Sequence, residues 1–194
     1  METENTSRYN SIQLIKRRFF AMRNGVIADS LRKGGSIYRM IFGLNLPQIV
    51  EIAADQTPSR VLAEALWADL STRESRLLAP MVYPIEEMSR EDALRWLETA
   101  AEIETADVMC HRLLRRHPDA LEIALSRGND EIPASRYTAR RLMVNLLALS
   151  TGERARELAR LFKPFAVDYE AERPSLRGVT RRLAEEIAWL LEEE

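Results

Sequence analysis

The chain has 194 residues, 46% hydrophobic and 30% charged, with a formal net charge of −2. That length and apolar share fit one large domain or two small ones around a continuous core, and the near-neutral balance argues against a generic polyanion binder. The single cysteine, Cys110, excludes an internal disulfide and a cysteine-rich metal site, and His111 and His117 are too poorly supported to frame a zinc centre.

Residues 1–10 are polar and read as a flexible N-terminus. Ile12, Ile15, Phe19 and Met22 then recur at helical spacing, with Asn24-Gly25 as the expected stop. A short segment over 26–32 ends at Gly34-Gly35, and Tyr38, Met40, Ile41 and Phe42 form an apolar plug before the next helix. Pro47 suits a first helical turn, where its missing N–H has no partner to lose. Thr57 as N-cap and Pro58 behind it repeat the device. Ser71 or Thr72 opens a further helix that Pro80 should bend or end.

Ser89 with Asp92 three residues on resembles a capping box. Ala106, Met109, Cys110, Leu113 and Leu114 give the stripe of a helix expected around 106–116. Short helices are expected from Pro118 to Gly128 and from Glu153 to Phe162, and a long one over 134–150. Ser175 should cap the last, whose stripe includes Leu183 and Ile187. No strand pattern intervenes, and helix pairs recur about every 30–45 residues, the period of helical solenoids. The expectation is an all-α fold of stacked repeats, a single domain over 11–194, with a plain helical bundle as the other arrangement.

With 41–79 placed, the chain resembles the DNA alkylation repair family, the HEAT-like-repeat alkylpurine glycosylases of the AlkD type. The matching pieces are Phe42-Gly43-Leu44, Pro47, then Ile49, Ile52 and Ala53, followed by Leu66-Trp67 and the Arg73, Glu74, Arg76, Ala79 spacing. The likeness is good over 41–114 and weak beyond. It implies a curved α-α superhelix whose concave basic face cradles duplex DNA. It also implies release of cationic N3- and N7-alkylpurines at an Asp flanked by tryptophans, where a carboxylate stabilises the oxocarbenium-like sugar.

Asp107 aligns with that catalytic Asp and lies off the apolar stripe, with His111 and Arg115 following at i+4 and i+8. The aromatic positions just before the Asp read Glu102-Ile103 here, so the cation-favouring rings are missing. Lysine occurs only at Lys16, Lys33 and Lys163, whereas arginine pairs recur at 115–116, 140–141 and 181–182. His111, Arg112, Arg115, Arg116, Arg136, Tyr137, Arg140 and Arg141 are the candidate DNA contacts, positioned to follow a phosphate backbone rather than read bases. Ordinary Glu–Arg pairing on solvated helices is the competing account of the arginines.

Two functional readings stand at this level. One is a duplex-DNA-binding family member with weak or lost glycosylase activity. The other is a non-catalytic scaffold for a protein partner. No cofactor or metal is implied, and no apolar run or signal peptide points to a membrane, so the expected location is the cytoplasm.

Overall fold

The computed structural model describes the backbone of residues 2–100 and 102–192, and the side chains of 11–100 and 102–192. The side chains of 1–10, the expected flexible stretch, lie outside the described residues. Eleven α-helices and four short 3-10 turns account for the regular structure among those residues. Among the described residues the only bridge between extended segments is an isolated pair, Met40 with Thr72. The chain divides into two compact units, Met1–Met88 and Ser89–Glu194.

The first unit contains α1 (Glu2–Ala21), α2 (Gly25–Lys33), α3 (Leu46–Ala54), α4 (Arg60–Trp67) and α5 (Arg73–Val82). Helix α5 packs on α3 and α4, and α1 packs on α4. Asn24 opens α2 instead of closing α1: its side chain accepts from the N–H groups of Val26 and Ile27. Both roles suit an Asn-Gly pair, and the hydrogen bonds decide between them. The cap of α4 is Ser59, whose hydroxyl accepts from Leu62, so the expected cap at Thr57 is displaced by two residues. Asn45 and Gln48 form a reciprocal capping box at α3, with Pro47 in the first turn. Pro80 lies inside α5, which ends two residues later at Val82.

One buried carboxylate organises this unit. Glu74 has no solvent exposure and accepts hydrogen bonds from the backbone N–H groups of Phe42, Gly43 and Leu44, at 3.1, 2.9 and 3.3 Å. Arg73, 4% exposed, pairs with Glu74 at 2.9 Å and donates to the Leu44 carbonyl. The charge is therefore both hydrogen-bonded and paired, as a buried ion must be. Gly43 makes the close approach possible. Its φ is +79°, and a Cβ there would sit 2.1 Å from the Asn24 carbonyl oxygen. Next to this clamp, the Arg76 guanidinium stacks 3.5 Å from the Trp67 ring centroid and is 1% exposed. The residues that carry the family resemblance are thus the fasteners of the first unit.

The second unit contains α6 (Arg90–Glu98), α7 (Ile103–Arg112), α8 (Ala120–Arg127), α9 (Pro133–Ala148), α10 (Gly152–Phe162) and α11 (Pro174–Glu192). Helix α9 is its hub and touches all five others. Trp96, Met109, Leu113, Ile123, Leu142, Met143, Phe162 and Leu183 are completely buried around it. The helix expected around 106–116 begins earlier and stops at Arg112; a separate 3-10 turn carries Leu114, Arg115 and Arg116. Ser89 caps α6 by accepting from the Asp92 N–H. No helix among the described residues is long and apolar enough to cross a membrane.

Two measurements test the packing of the first unit. Glu74→Gln strands the buried Arg73 without its anion and should cost roughly 3 kcal/mol, read by urea denaturation; a loss below about 1 kcal/mol would contradict the clamp. Asp69 reports a second fastener. Burial alone would raise its pKa, but Lys16 (2.7 Å) and the hydroxyls of Ser71, Ser75 and Thr72 prevail and hold it at about 2. A depressed carboxylate stabilises the fold above its unfolded pKa, and that contribution fades as pH falls from about 4 to 2. Asp69→Asn should therefore lose about 2 kcal/mol at pH 7, with the gap from wild type closing toward pH 2. A gap independent of pH would refute the assignment.

Candidate functional site

Asp107 sits on α7 one position past the buried Ala106, on the edge of the apolar stripe, and its side chain is 34% exposed. Two groups from α9 meet one of its oxygens. The Tyr137 hydroxyl donates to Oδ1 at 2.9 Å, and Arg141 Nε lies 3.1 Å from the same atom. Tyr137 and Arg141 are one helical turn apart, so a single face of α9 supplies both. Oδ2 accepts no hydrogen bond from the described residues. Burial raises the Asp107 pKa, the Arg141 charge and the Tyr137 hydrogen bond oppose that, and nearby Glu104 adds to it.

Cys110 lies one turn beyond on α7 and is buried, its thiol donating to the Thr138 carbonyl at 3.3 Å. Burial and the neighbouring Asp107 charge push its pKa up, so it fastens α7 to α9 as a neutral thiol rather than acting as a nucleophile. Burial and the same carboxylate also raise the Tyr137 pKa, which keeps the phenol protonated and donating.

The C-terminal end of α7 and the 3-10 turn that follows it carry a concentration of positive charge. Arg115 donates to His111 Nδ1 at 3.2 Å, which leaves the proton of the neutral imidazole on Nε2. Partial burial, followed by the charges of Arg115, Arg112 and Arg141, lowers the His111 pKa. Arg112, Arg115 and Arg116 have no carboxylate within ion-pair distance among the described residues. The negative end of the α7 dipole offsets part of their repulsion. On α7 and α9 three buried donors lack an aligned acceptor, Arg112 Nε, Arg141 Nε and the Asn145 amide, and Arg127 Nε on α8 is a fourth. Asn145 is 7% exposed and follows Arg141 by one turn of α9. Surplus cations beside unsatisfied donors form a ready acceptor site for an anion.

Not every arginine expected here takes part. Arg140 is a correction: it is 4% exposed and donates to the Gly128 carbonyl, Asn129, Glu172 and Thr180. It ties α9 to the segment before α11 and offers nothing to a phosphate. Glu172 also meets Arg136 at 3.6 Å, while Arg136 Nε donates to the Asp130 carbonyl at 2.7 Å. Sequence spacing gave no warning of Glu172, because the contact spans more than 30 residues. Arg181 and Arg182 pair with Glu185 and Glu186 along α11, as ordinary helix surfaces do. Trp96 is in the core and Trp189 is 60% exposed on α11. No aromatic ring takes the place ahead of Asp107, where Ile103 stands half-exposed.

Beside Tyr137 a half-open cavity of ≈ 370 Å³ lies between α7 and the start of α9, lined by Ile103, Ala106, Ile132 and Pro133 among others. No cluster of His, Cys, Asp and Glu suited to a metal ion occurs among the described residues.

The division of labour between the arginines has a direct test. Arg140→Ala should destabilise the chain by roughly 3 kcal/mol, since it removes the buried partner of Glu172 and leaves that carboxylate only the longer contact to Arg136. Arg115→Ala should change stability by less than about 0.5 kcal/mol. Equal melting shifts for the two would overturn the distinction.

A comparison with curated proteins finds no match. Among solved structures, one aligns with a TM-score of 0.79 at 14% identity, covering 93% of this chain and 77% of its own. It is described as a new family of proteins related to the HEAT-like repeat DNA glycosylases with affinity for branched DNA structures. At that identity the likeness is one of fold, and it makes the architecture that of an all-α HEAT-like repeat protein. Residues 15–127, more than half the chain, match the family described as DNA alkylation repair enzyme. Together with the buried Phe42-Gly43-Leu44 clamp, that match shows that the chain belongs to the DNA alkylation repair enzyme family.

Proposed function

We propose that the chain binds DNA through the phosphate backbone, with the cationic end of α7 and Arg141 as the contact, and that its glycosylase chemistry is weak or lost. The supporting observation is the absence of carboxylate partners for Arg112, Arg115 and Arg116 among the described residues, beside buried donors that lack acceptors. Elsewhere in the same unit Arg127, Arg136, Arg154, Arg156, Arg160, Arg181 and Arg182 are paired with acids, whereas Arg90, Arg173 and Arg177 have no ion pair among the described residues but do not cluster with buried unsatisfied donors. A phosphate supplies what α7 lacks: negative charge and several acceptor oxygens. The affinity of the fold neighbour for branched DNA structures agrees with this reading.

Asp107 keeps the electrostatic part of a glycosylase site. Its free oxygen has the charge needed to stabilise an oxocarbenium-like sugar. What it lacks is the aromatic surface that would favour a departing cationic base, since Ile103 occupies that place. Arg141 also withdraws charge from the carboxylate at 3.1 Å. The binding role therefore survives more fully than the catalytic one. The single-domain organisation over 11–194 and a cytoplasmic location belong to the same proposal.

A titration against duplex DNA at several salt concentrations tests the proposal. Each phosphate neutralised contributes about 0.9 to the slope of log K against log salt. Replacing Arg112, Arg115 or Arg116 by alanine should weaken binding at all sequences and reduce the slope by about 1 each. No duplex affinity even at low salt would refute DNA binding and favour a protein-binding scaffold. For the chemistry, release of 7-methylguanine from alkylated duplex should exceed that of Asp107→Asn by no more than about tenfold, a small part of the usual enzymatic acceleration. An excess of several orders of magnitude would show an active glycosylase.

A further inference from the structure

We propose that the cavity between α7 and α9 receives an unpaired nucleobase from DNA whose backbone lies on the α7 cations. The inference rests on the DNA-binding reading and names what the adjoining cavity is for.

The walls are largely apolar, with Glu102 and Ser175 as polar members beside the Tyr137 hydroxyl. Ile103 and Ala106 line it from α7, and Ile132, Pro133, Ala134 and Tyr137 from the entry to α9. Its volume of ≈ 370 Å³ falls within the range of small-molecule sites, about 300–1,000 Å³. Ile103 and Ile132 are 52% and 50% exposed, so two large apolar side chains stand at the rim without a covering layer. The aromatic ring of Tyr137 is the one flat surface there, and base-on-ring stacking tolerates any sequence. Its orientation is fixed in advance, because its hydroxyl is held by Asp107 at 2.9 Å.

Continuity with the anion site selects the occupant. The same Oδ1 that holds Tyr137 meets Arg141, and Arg141 acts on His111 together with Arg112 and Arg115. A ligand spanning this path needs an anionic group at one end and a flat, mostly apolar group at the other. A nucleotide still attached to its strand has both. A base inside a duplex must first be unstacked and unpaired, at a free-energy cost, so the favoured occupant is a base already free at a branch or a bulge. The cavity is open on one side, as an attached nucleotide requires.

The experiment uses the full-length chain and three DNAs of one sequence: fully paired, with one unpaired adenine, and with an abasic analogue at the unpaired position. Fluorescence anisotropy should show the unpaired adenine bound about tenfold tighter than the abasic analogue, in keeping with the stacking of one base on an aromatic ring. Ala134→Leu narrows the cavity and should abolish that tenfold preference while leaving paired-duplex affinity within about twofold. Ile103→Ser, at an exposed position, removes apolar wall without risk to the core and should reduce the preference in the same way. A 2-aminopurine in the unpaired position should change its emission on binding wild type and not on binding Ala134→Leu. Equal affinity for base and abasic DNA, or a preference that survives both variants, overturns the base-binding role while paired-duplex binding stands. Loss of binding to all three DNAs overturns the underlying DNA reading as well, and the paired duplex tells the two failures apart.

Discussion

The Asp107 carboxylate joins α7 to α9 through a single oxygen, and the character of the surrounding surface depends on how little it neutralises. One partly buried anion faces Arg141, and among the described residues His111, Arg112, Arg115 and Arg116 have no second acid near enough to pair with. Mutual repulsion of this kind is tolerable at the C-terminal end of a helix, where the backbone carbonyls offset part of it. It is not a stabilising arrangement by itself. The rest of the unit supplies the stability: α9 lies at the centre of five neighbours, and Arg140 with Glu172 ties it to the approach of α11. The separation matters for function, because charges that do not hold the fold together are available to a ligand.

The two units use buried charge for different ends. In the first, Glu74 and Arg73 satisfy one another and a run of backbone donors, with nothing left over. In the second, buried donors on Arg112, Arg127, Arg141 and Asn145 remain without aligned acceptors. Native proteins leave few such groups, and those that persist call for an explanation in function. A phosphate oxygen is an acceptor of the right charge.

Much of the architecture was legible from residue spacing because helices bury one stripe, and a stripe is visible in sequence. The set Ala106, Met109, Cys110, Leu113 and Leu114 is completely or almost completely buried. Capping was harder to read. Asn24 and Ser59 each compete with a neighbour of similar chemistry, and only the three-dimensional placement of the N–H groups decides which residue caps. At the site, Asp107 stood out because it aligns with the catalytic Asp of the family the chain resembles and lies off the apolar stripe. Its bond to Tyr137 was not legible, since the two residues are 30 apart, although Tyr137 and Arg141 at i and i+4 mark one face of α9. Arg140 was misread for the same reason. Adjacent arginines look alike in sequence, yet a 100° step around the helix buries one and exposes part of the other. The cavity left no trace in the sequence beyond the small and β-branched residues that line it.

The most direct test of the account is an NMR titration of the full chain with a short branched DNA, following backbone amides and arginine Nε–H resonances. DNA bound at the α7 cations should perturb 102–116, Tyr137, Arg141 and the Asn145 side-chain amide most. Perturbations centred instead on Arg154, Arg156 and Arg160 or on Arg181 and Arg182, with α7 unaffected, would contradict it.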